Sequence, residues 1–164
     1  MRMSVPLQLC LLVILFFPIP SLAKGFQTYS QEVLLAKLVL DCSTEEDIPA
    51  KKDFGALYIC TFGKAKTARW FVSEQPQTGK VQSIGLMWVD WQIDTGYGIR
   101  ADWKEVDKVL DFLIYWYVPA RRNDLTKAFW DSKNEDFSTS DFTIYYTFRP
   151  DLQKDERIIV IEEK

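Results

Sequence analysis

The stretch VQSIGLMWVDWQI, residues 81–93, decides the fold because it is apolar on both of its alternating faces. One face would carry Met87, Val89 and Trp91, and the other Ile84, Leu86 and Trp88. This pattern predicts a central strand of a sheet that is covered on both sides near its middle. The glycine within it, Gly85, predicts a bulge or a close approach of two backbones.

Other strands are predicted on both sides of this stretch. Apolar and aromatic runs separated by turn residues are typical of strands, and four such runs occur: residues 56–62, 67–73, 141–148 and 157–162. The polar segments between the elements, residues 43–53 and 131–140, are predicted as loops.

Three helices complete the predicted order. Apolar residues recur at helical spacing over residues 29–40 and 102–117, and a short third helix is predicted at 123–130. Asp102 with Glu105 three residues later predicts a capping box at the start of the second helix. The order α-β-β-β-α-α-β-β predicts an α+β fold, with helices packed on a twisted, mainly antiparallel sheet of about five strands.

Residues 1–23 predict a cleaved secretion signal. Arg2 precedes an apolar run at residues 9–17, two prolines follow, and a small-residue cleavage site ends at Ala23. The run is too short to cross a bilayer, which takes about 20 residues. The sequence therefore predicts an exported protein, periplasmic or secreted, with one domain over residues 24–164 and no stable membrane anchor after cleavage.

The cysteines agree with export. Cys10 would leave with the leader, so that Cys42 and Cys60 form an even pair in an oxidising compartment. Their spacing does not match the Cys-x-x-Cys pattern of redox or metal-binding pairs. We therefore predict a structural disulfide between them.

Histidine is absent from the 164 residues. Its absence removes Ser-His-Asp and Cys-His activation of a nucleophile and metal sites built on imidazole. The formal net charge of −3 offers no excess of basic side chains for binding phosphates. We expect no enzymatic activity, no cofactor, no bound metal and no nucleic-acid partner.

The triplet Asp94-Thr95-Gly96 resembles the active-site turn of retroviral-type aspartic proteases, in which two such aspartates share a proton. That family also has a downstream apolar-apolar-Gly segment, and this chain has no glycine after Gly98. A helix rather than a strand is predicted to follow the triplet. It is therefore interpreted as a tight turn with a glycine at positive φ.

Aromatic residues are numerous, with six tryptophans and seven tyrosines. Those near the end of the central strand could form a platform on which a sugar or a protein binds, with nearby polar side chains making further contacts to it. The candidate contact residues are Trp91, Asp94, Tyr97 and Arg100. The alternative is that the aromatic side chains build the core.

Together these observations predict an exported, non-catalytic binding protein that contacts another protein or an envelope component, of the inhibitor, immunity or assembly-factor type. One alternative is a small-molecule, lipid or glycan binder with an aromatic-lined pocket beneath the helix at 102–117. A third is a carboxylate-dependent hydrolase, which needs a pair of acidic groups in one cleft.

Overall fold

The computed structural model describes residues 25–164, so the predicted secretion signal lies outside the described residues. The elements in chain order are α1 (Tyr29–Val39), β1 (Cys42–Ile48), β2 (Leu57–Phe62), β3 (Ala68–Glu74), β4 (Val81–Trp91), α2 (Trp103–Tyr117), a 3₁₀ turn (Pro119–Arg121), α3 (Arg122–Asp131), β5 (Glu135–Ser138), β6 (Phe142–Arg149) and β7 (Lys154–Glu163). The strands form one antiparallel sheet in the order β1-β2-β3-β4-β7-β6-β5. The α+β class is confirmed.

The prediction of about five strands is wrong, because the sheet has seven. The two missed strands, β1 and β5, lie in the segments predicted as loops, and each forms an edge of the sheet. β1 reads CSTEEDI and is exposed along most of its length, so it lacks the apolar alternation of a half-buried strand. β5 has only four residues, one of them buried. Backbone pairing with β2 and β6, rather than apolar patterning, makes these segments strands.

The hydrophobic core lies between one face of the sheet and the three helices. Trp70, Leu86, Trp88 and Ile159 project from that face and are almost completely buried. The helices contribute their apolar stripes, for example Leu113 of α2, which is also fully buried. The prediction that β4 is the central strand is confirmed, since three strands lie on each side of it.

The opposite face of the sheet is not covered by a second layer of described residues. Met87, Val89 and Trp91, which the sequence pattern placed beneath such a layer, are instead half-buried on an open surface. The expectation of a strand covered on both sides is therefore wrong for this face. Its apolar side chains shield one another within a single plane.

The predicted disulfide is confirmed. Cys42 and Cys60 are joined with an S–S distance of 2.03 Å. They lie on neighbouring strands one diagonal apart, because Cys42 pairs with Phe62 and Cys60 with Glu45. The bridge therefore fixes the start of the exposed edge strand β1 to the sheet.

α1 is held to α2 by a buried polar contact. The Tyr117 hydroxyl donates a hydrogen bond to Glu32 Oε2 at 2.6 Å, and Glu32 Oε1 accepts a second bond from the Gln27 amide at 2.9 Å. Burial and the neighbouring Glu32 carboxylate raise the pKa of Tyr117, so the phenol stays protonated and remains a donor. Within residues 25–164, no helix is both long and apolar enough to cross a membrane.

Candidate functional site

The loop between β4 and α2, residues 92–102, carries a cluster of exposed apolar side chains. Ile93 is 44% exposed, Tyr97 62%, Ile99 61%, and Trp103, the first residue of α2, 47%. Single exposed apolar residues are common on protein surfaces, whereas contiguous exposed apolar patches are typical of interaction sites, and Tyr97, Ile99 and Trp103 line one cleft. We call the surface formed by Tyr97, Ile99, Arg100 and Trp103 the loop surface.

The loop is braced by its own acidic residue. Asp94 Oδ1 accepts hydrogen bonds from the backbone amides of Gly96 and Gly98, both at 2.8 Å. Gly96 and Gly98 have φ of 101° and 88°, values that glycine adopts without strain. The same bonds hold the pKa of the Asp94 carboxyl below its usual range. This geometry fits the interpretation of Asp94-Thr95-Gly96 as a tight turn.

A second acidic residue ties the end of the loop to the turn between β2 and β3. The Asp102 carboxylate accepts hydrogen bonds from the amides of Ala65 and Thr67, each at 3.1 Å, and from the Thr67 hydroxyl at 3.0 Å. The prediction that the Asp102 side chain caps α2 is therefore wrong, although the residue does stand at the N-cap position. Asp102 has a φ of 64°, which is strained for a non-glycine residue, and its three hydrogen bonds compensate.

Arg100 connects the loop to the core. Its Nε lies 3.4 Å from Asp90 Oδ2, and its guanidinium carbon lies 5.5 Å from the ring centres of both Trp88 and Trp130. The side chain is still 44% exposed. Arg100 also has a left-handed backbone with φ of 57°. A guanidinium between two indole rings and a carboxylate is restrained in position while part of it stays open to a ligand.

A buried ion pair lies beneath Arg100. Arg157 donates to Asp90 Oδ2 at 3.1 Å, to the Phe129 carbonyl at 3.2 Å and to the Ser132 hydroxyl at 2.8 Å. The side chains of Asp90 and Arg157 are 1% and 5% exposed. Burial raises the pKa of the Asp90 carboxyl, and the Arg100 and Arg157 guanidinium groups oppose that rise. Two cations therefore share one buried carboxylate.

Two adjoining clefts open at the loop surface. The larger, about 480 Å³, is lined by Ile99, Arg100, Trp103, Asp107 and Trp130, and we call it the Trp103–Trp130 cleft. The smaller, about 300 Å³, shares three of these residues and adds Tyr97 and two lysines, Lys64 and Lys104. The clefts combine aromatic walls with basic groups and three carboxylates: Asp107 in the larger cleft, and Asp102 and Glu105 in the smaller one. They lie at the N-terminal end of α2.

The aromatic side chains beneath the rest of α2 fill the core. The ring centres of Trp70 and Phe112 are 5.7 Å apart, and those of Phe26 and Phe142 are 4.8 Å apart. Tyr117 packs edge-on against Phe26 at 5.7 Å. Large aromatic residues packed at such distances contribute dispersion and burial. A further cleft of about 430 Å³ lies beside this part of α2, where Leu40, Phe62, Val109 and Phe112 are among its lining residues.

The structure brings together some of the predicted contact residues. Tyr97 and Arg100 lie at the same cleft, and Asp94 braces the loop that carries them. Trp91 lies on the open face of the sheet, where Lys154 sits over its ring at 5.9 Å. It therefore belongs to a different surface.

The predicted contact residues did not include several side chains that line the clefts. The run of Ile99 and Trp103 after Tyr97 gives a local signal, since apolar residues recur in a glycine-containing turn segment. Trp130 and Lys64 come from distant parts of the chain, and no local signal places them at the loop surface.

The acidic side chains near the clefts are the groups that bear on metal binding and on acid–base hydrolysis. Within the part of the chain that the structure describes, no three His, Cys, Asp or Glu side chains lie close enough to hold a metal ion. Asp107 lines the Trp103–Trp130 cleft and Glu105 and Asp102 line the adjoining one, whereas glycosidases position two carboxylates across one scissile bond. Comparison with known proteins adds no assignment, because no family model, curated protein or solved structure matches the chain.

Proposed function

We propose that the protein is an exported, non-catalytic interaction protein that binds a protein partner of the envelope or extracellular space through its loop surface. The observation that carries this proposal is the exposure of Tyr97, Ile99 and Trp103 on a braced loop around a restrained arginine. The Cys42–Cys60 disulfide supports an oxidising location, where such bonds persist.

The residue types of the loop surface suit binding. Tyrosine, tryptophan and arginine are the residues most enriched among interface hot spots, where truncation to alanine costs about 2 kcal/mol or more. Because hydrogen bonds to Asp94 and Asp102 already order the loop, association would lose little further conformational entropy.

The charges around the loop surface indicate the chemistry of the partner. Lys64 and Lys104 line the smaller cleft, and no ion pair holds either of them within residues 25–164. Of the two carboxylates that line the same cleft, Asp102 is engaged with backbone amides, so the two lysines outnumber the one that remains, Glu105. A partner with a small apolar projection flanked by carboxylates would fit, because rim charges of opposite sign speed association.

The experiment uses the exported protein as bait in an envelope extract, followed by identification and purification of the captured protein. Its affinity is then titrated against Tyr97→Ala and Trp103→Ala. Each variant is expected to bind about 30-fold more weakly or worse, the equivalent of about 2 kcal/mol. Tyr115→Ala is the matched control, since Tyr115 is 65% exposed on α2 and lies outside the clefts. Failure to capture a partner, or equal losses in all three variants, would contradict the proposal.

A second candidate is a glycan or small-molecule ligand in the Trp103–Trp130 cleft. Two indole rings beside Arg100 and Asp107 offer stacking surfaces and hydrogen-bond groups in one place. Tryptophan fluorescence titrated with soluble cell-wall fragments and short-chain lipids tests it. A saturable change that is lost in Trp130→Ala, with unaltered binding of protein partners, would favour this candidate, and a flat response to every ligand would remove it.

A further inference from the structure

The open face of the sheet carries one continuous apolar row and further apolar side chains along β4. The strand register places Ile59, Phe71, Gly85, Val160 and Tyr145 in one row across five strands. The next row contains Met87 and Ile158, and Val89 and Trp91 follow along β4. All of these residues project away from the helices, because the alternate positions of the same strands form the core.

A glycine keeps this face flat. A Cβ atom at Gly85 would lie 2.1 Å from the Phe71 ring and 2.5 Å from the Ile159 carbonyl oxygen. The Phe71 ring therefore lies across β4 in the space that a side chain would occupy. An aromatic ring over a strand glycine is a known way of stabilising a sheet, and here it leaves an even surface.

The dimensions of the face match those of a protein interface. With strands about 4.8 Å apart and about 3.4 Å of rise per residue, the five central strands between Gly85 and Trp91 measure roughly 19 Å by 20 Å, or about 400 Å². The whole face, seven strands wide and extending from Ser83 to Trp91 on β4, covers about 800 Å² by the same arithmetic. A stable interface buries about 800 Å² on each partner.

The edges of the sheet are poor sites for association. The outer strand β1 carries Glu45, Glu46 and Asp47 in succession, and the other outer strand, β5, has only four residues. Charged and very short edge strands discourage strand addition. The open face, rather than either edge strand, is therefore the part of the sheet that is suited to association with another chain.

We propose that the open face binds a second copy of this chain, so that two sheets pack face to face as in a β-sandwich. Such layers lie about 10 Å apart and bury the alternate side chains of both sheets. Charged side chains of both signs lie among and around the apolar residues of this face: Arg69, Arg149 and Lys154 are basic, and Glu46, Asp136, Glu156 and Glu162 are acidic.

The pairing would be self-complementary. A twofold axis along β4 sets the β3 side of one copy over the β7 side of the other, since the interface of a symmetric dimer uses the same patch twice. Phe71 would then face Val160 of the second copy, and Ile59 would face Tyr145. Gly85 would lie near the axis, beneath the Phe71 ring of its own chain.

The proposed dimer does not depend on the function proposed for the loop surface. Trp88, beneath Arg100, points to the helix-covered side of the sheet, whereas Trp91 points to the open side. The loop surface therefore stays accessible when the open face is covered. A dimer would present two copies of it, which strengthens binding to a partner with repeated sites.

Sedimentation velocity and light scattering of the exported protein test the inference, at concentrations from about 1 μM to about 100 μM, since interfaces of this size have affinities of micromolar or better. We expect both methods to give the mass of a dimer within this concentration range. Val160→Lys and Tyr145→Lys should each weaken dimerisation about 30-fold or more, because an unpaired charge would be buried. Tyr115 is also a tyrosine but lies on α2, where it is 65% exposed, so Tyr115→Lys should leave the dimer unchanged.

Three results would overturn the inference: a monomer over the whole concentration range, a dimer that both open-face variants retain, or a dimer that Tyr115→Lys weakens equally. Thermal unfolding of each variant separates loss of association from loss of folding. Should Val160→Lys fail to fold, Tyr145→Lys decides alone, since Tyr145 is already 38% exposed and tolerates a charge in the monomer.

Discussion

The replacement Arg157→Met tests the buried ion pair beneath the loop surface. The methionine keeps an unbranched apolar chain of similar reach but removes the guanidinium. Asp90 would then lose its 3.1 Å partner while its side chain remains 1% exposed. The carbonyl of Phe129 and the hydroxyl of Ser132 would lose a donor as well.

The size of the effect follows from this burial. Removing one partner of a buried ion pair costs about 3–5 kcal/mol, because the remaining charge has neither water nor a counter-ion. Arg100 still lies 3.4 Å from Asp90 and reaches solvent. We therefore expect Arg157→Met to lower the free energy of unfolding by about 3 kcal/mol, the lower end of this range. For a domain of this size that corresponds to a fall in Tm of about 10 °C.

The loss should depend on pH in a defined direction. Without Arg157, the folded-state pKa of Asp90 rises further, since burial then meets only one opposing cation. A carboxyl whose pKa is higher in the folded than in the unfolded state binds its proton more tightly when folded. Its contribution to stability is therefore present below the unfolded pKa and is lost as the pH rises through the folded pKa. The loss of unfolding free energy in Arg157→Met, relative to the unsubstituted protein, should therefore be larger at pH 8 than at pH 5.

Urea unfolding followed by circular dichroism at both pH values measures these effects. Circular dichroism is preferred to fluorescence because Trp88 stacks near Arg157 and its emission would change for local reasons. The double variant Asp90→Asn with Arg157→Met removes both charges and should be more stable than Arg157→Met alone. A loss of unfolding free energy below about 1 kcal/mol, or a loss that is the same at both pH values, would refute the reasoning. Either result would mean that the Asp90 carboxylate is in contact with water.

Three further outcomes are expected. Replacing Cys42 and Cys60 by serine should lower the unfolding free energy by about 3 kcal/mol on the loop-entropy relation for a separation of 18 residues, as measured by urea unfolding against the oxidised protein. Gly85→Ala should cost about 1–3 kcal/mol in the same assay, because its Cβ would meet the Ile159 carbonyl oxygen at 2.5 Å. An NMR titration should give Asp94 a pKa below the usual aspartate range. The stabilising contribution of its loop hydrogen bonds should persist above the unfolded pKa and vanish as the pH falls through the folded one, and Asp94→Asn should abolish this pH dependence.

Local patterns in the sequence were sufficient for much of the fold. The alternation in residues 81–93 predicted the central strand β4, and the helical spacing around Leu110 and Leu113 predicted α2. The pairing of Cys42 with Cys60 followed from the count of cysteines beyond the leader. These features depend on residues that are close in sequence or on a count, so one chain read alone was enough.

Local patterns failed where a segment has few apolar residues of its own. β1 and β5 are strands only because β2 and β6 offer them backbone partners. Asp102 followed the rule for a helix cap, yet its carboxylate serves the amides of Ala65 and Thr67. The hydrogen bonds that a side chain makes depend on which donors the fold brings close to it. The amides of Ala65 and Thr67 are more than thirty residues away from Asp102 along the chain.

The candidate site shows the same division. The sequence alone determined that Tyr97 and Arg100 lie in a turn after the central strand, and that Trp88 and Trp91 point to opposite faces. Only the tertiary structure decided that Trp130 and Lys64 join Arg100 at a cleft, and that one face of the sheet stays open. The physical reason is that periodicity specifies which side of an element is apolar, whereas what covers that side depends on contacts between segments far apart in the chain.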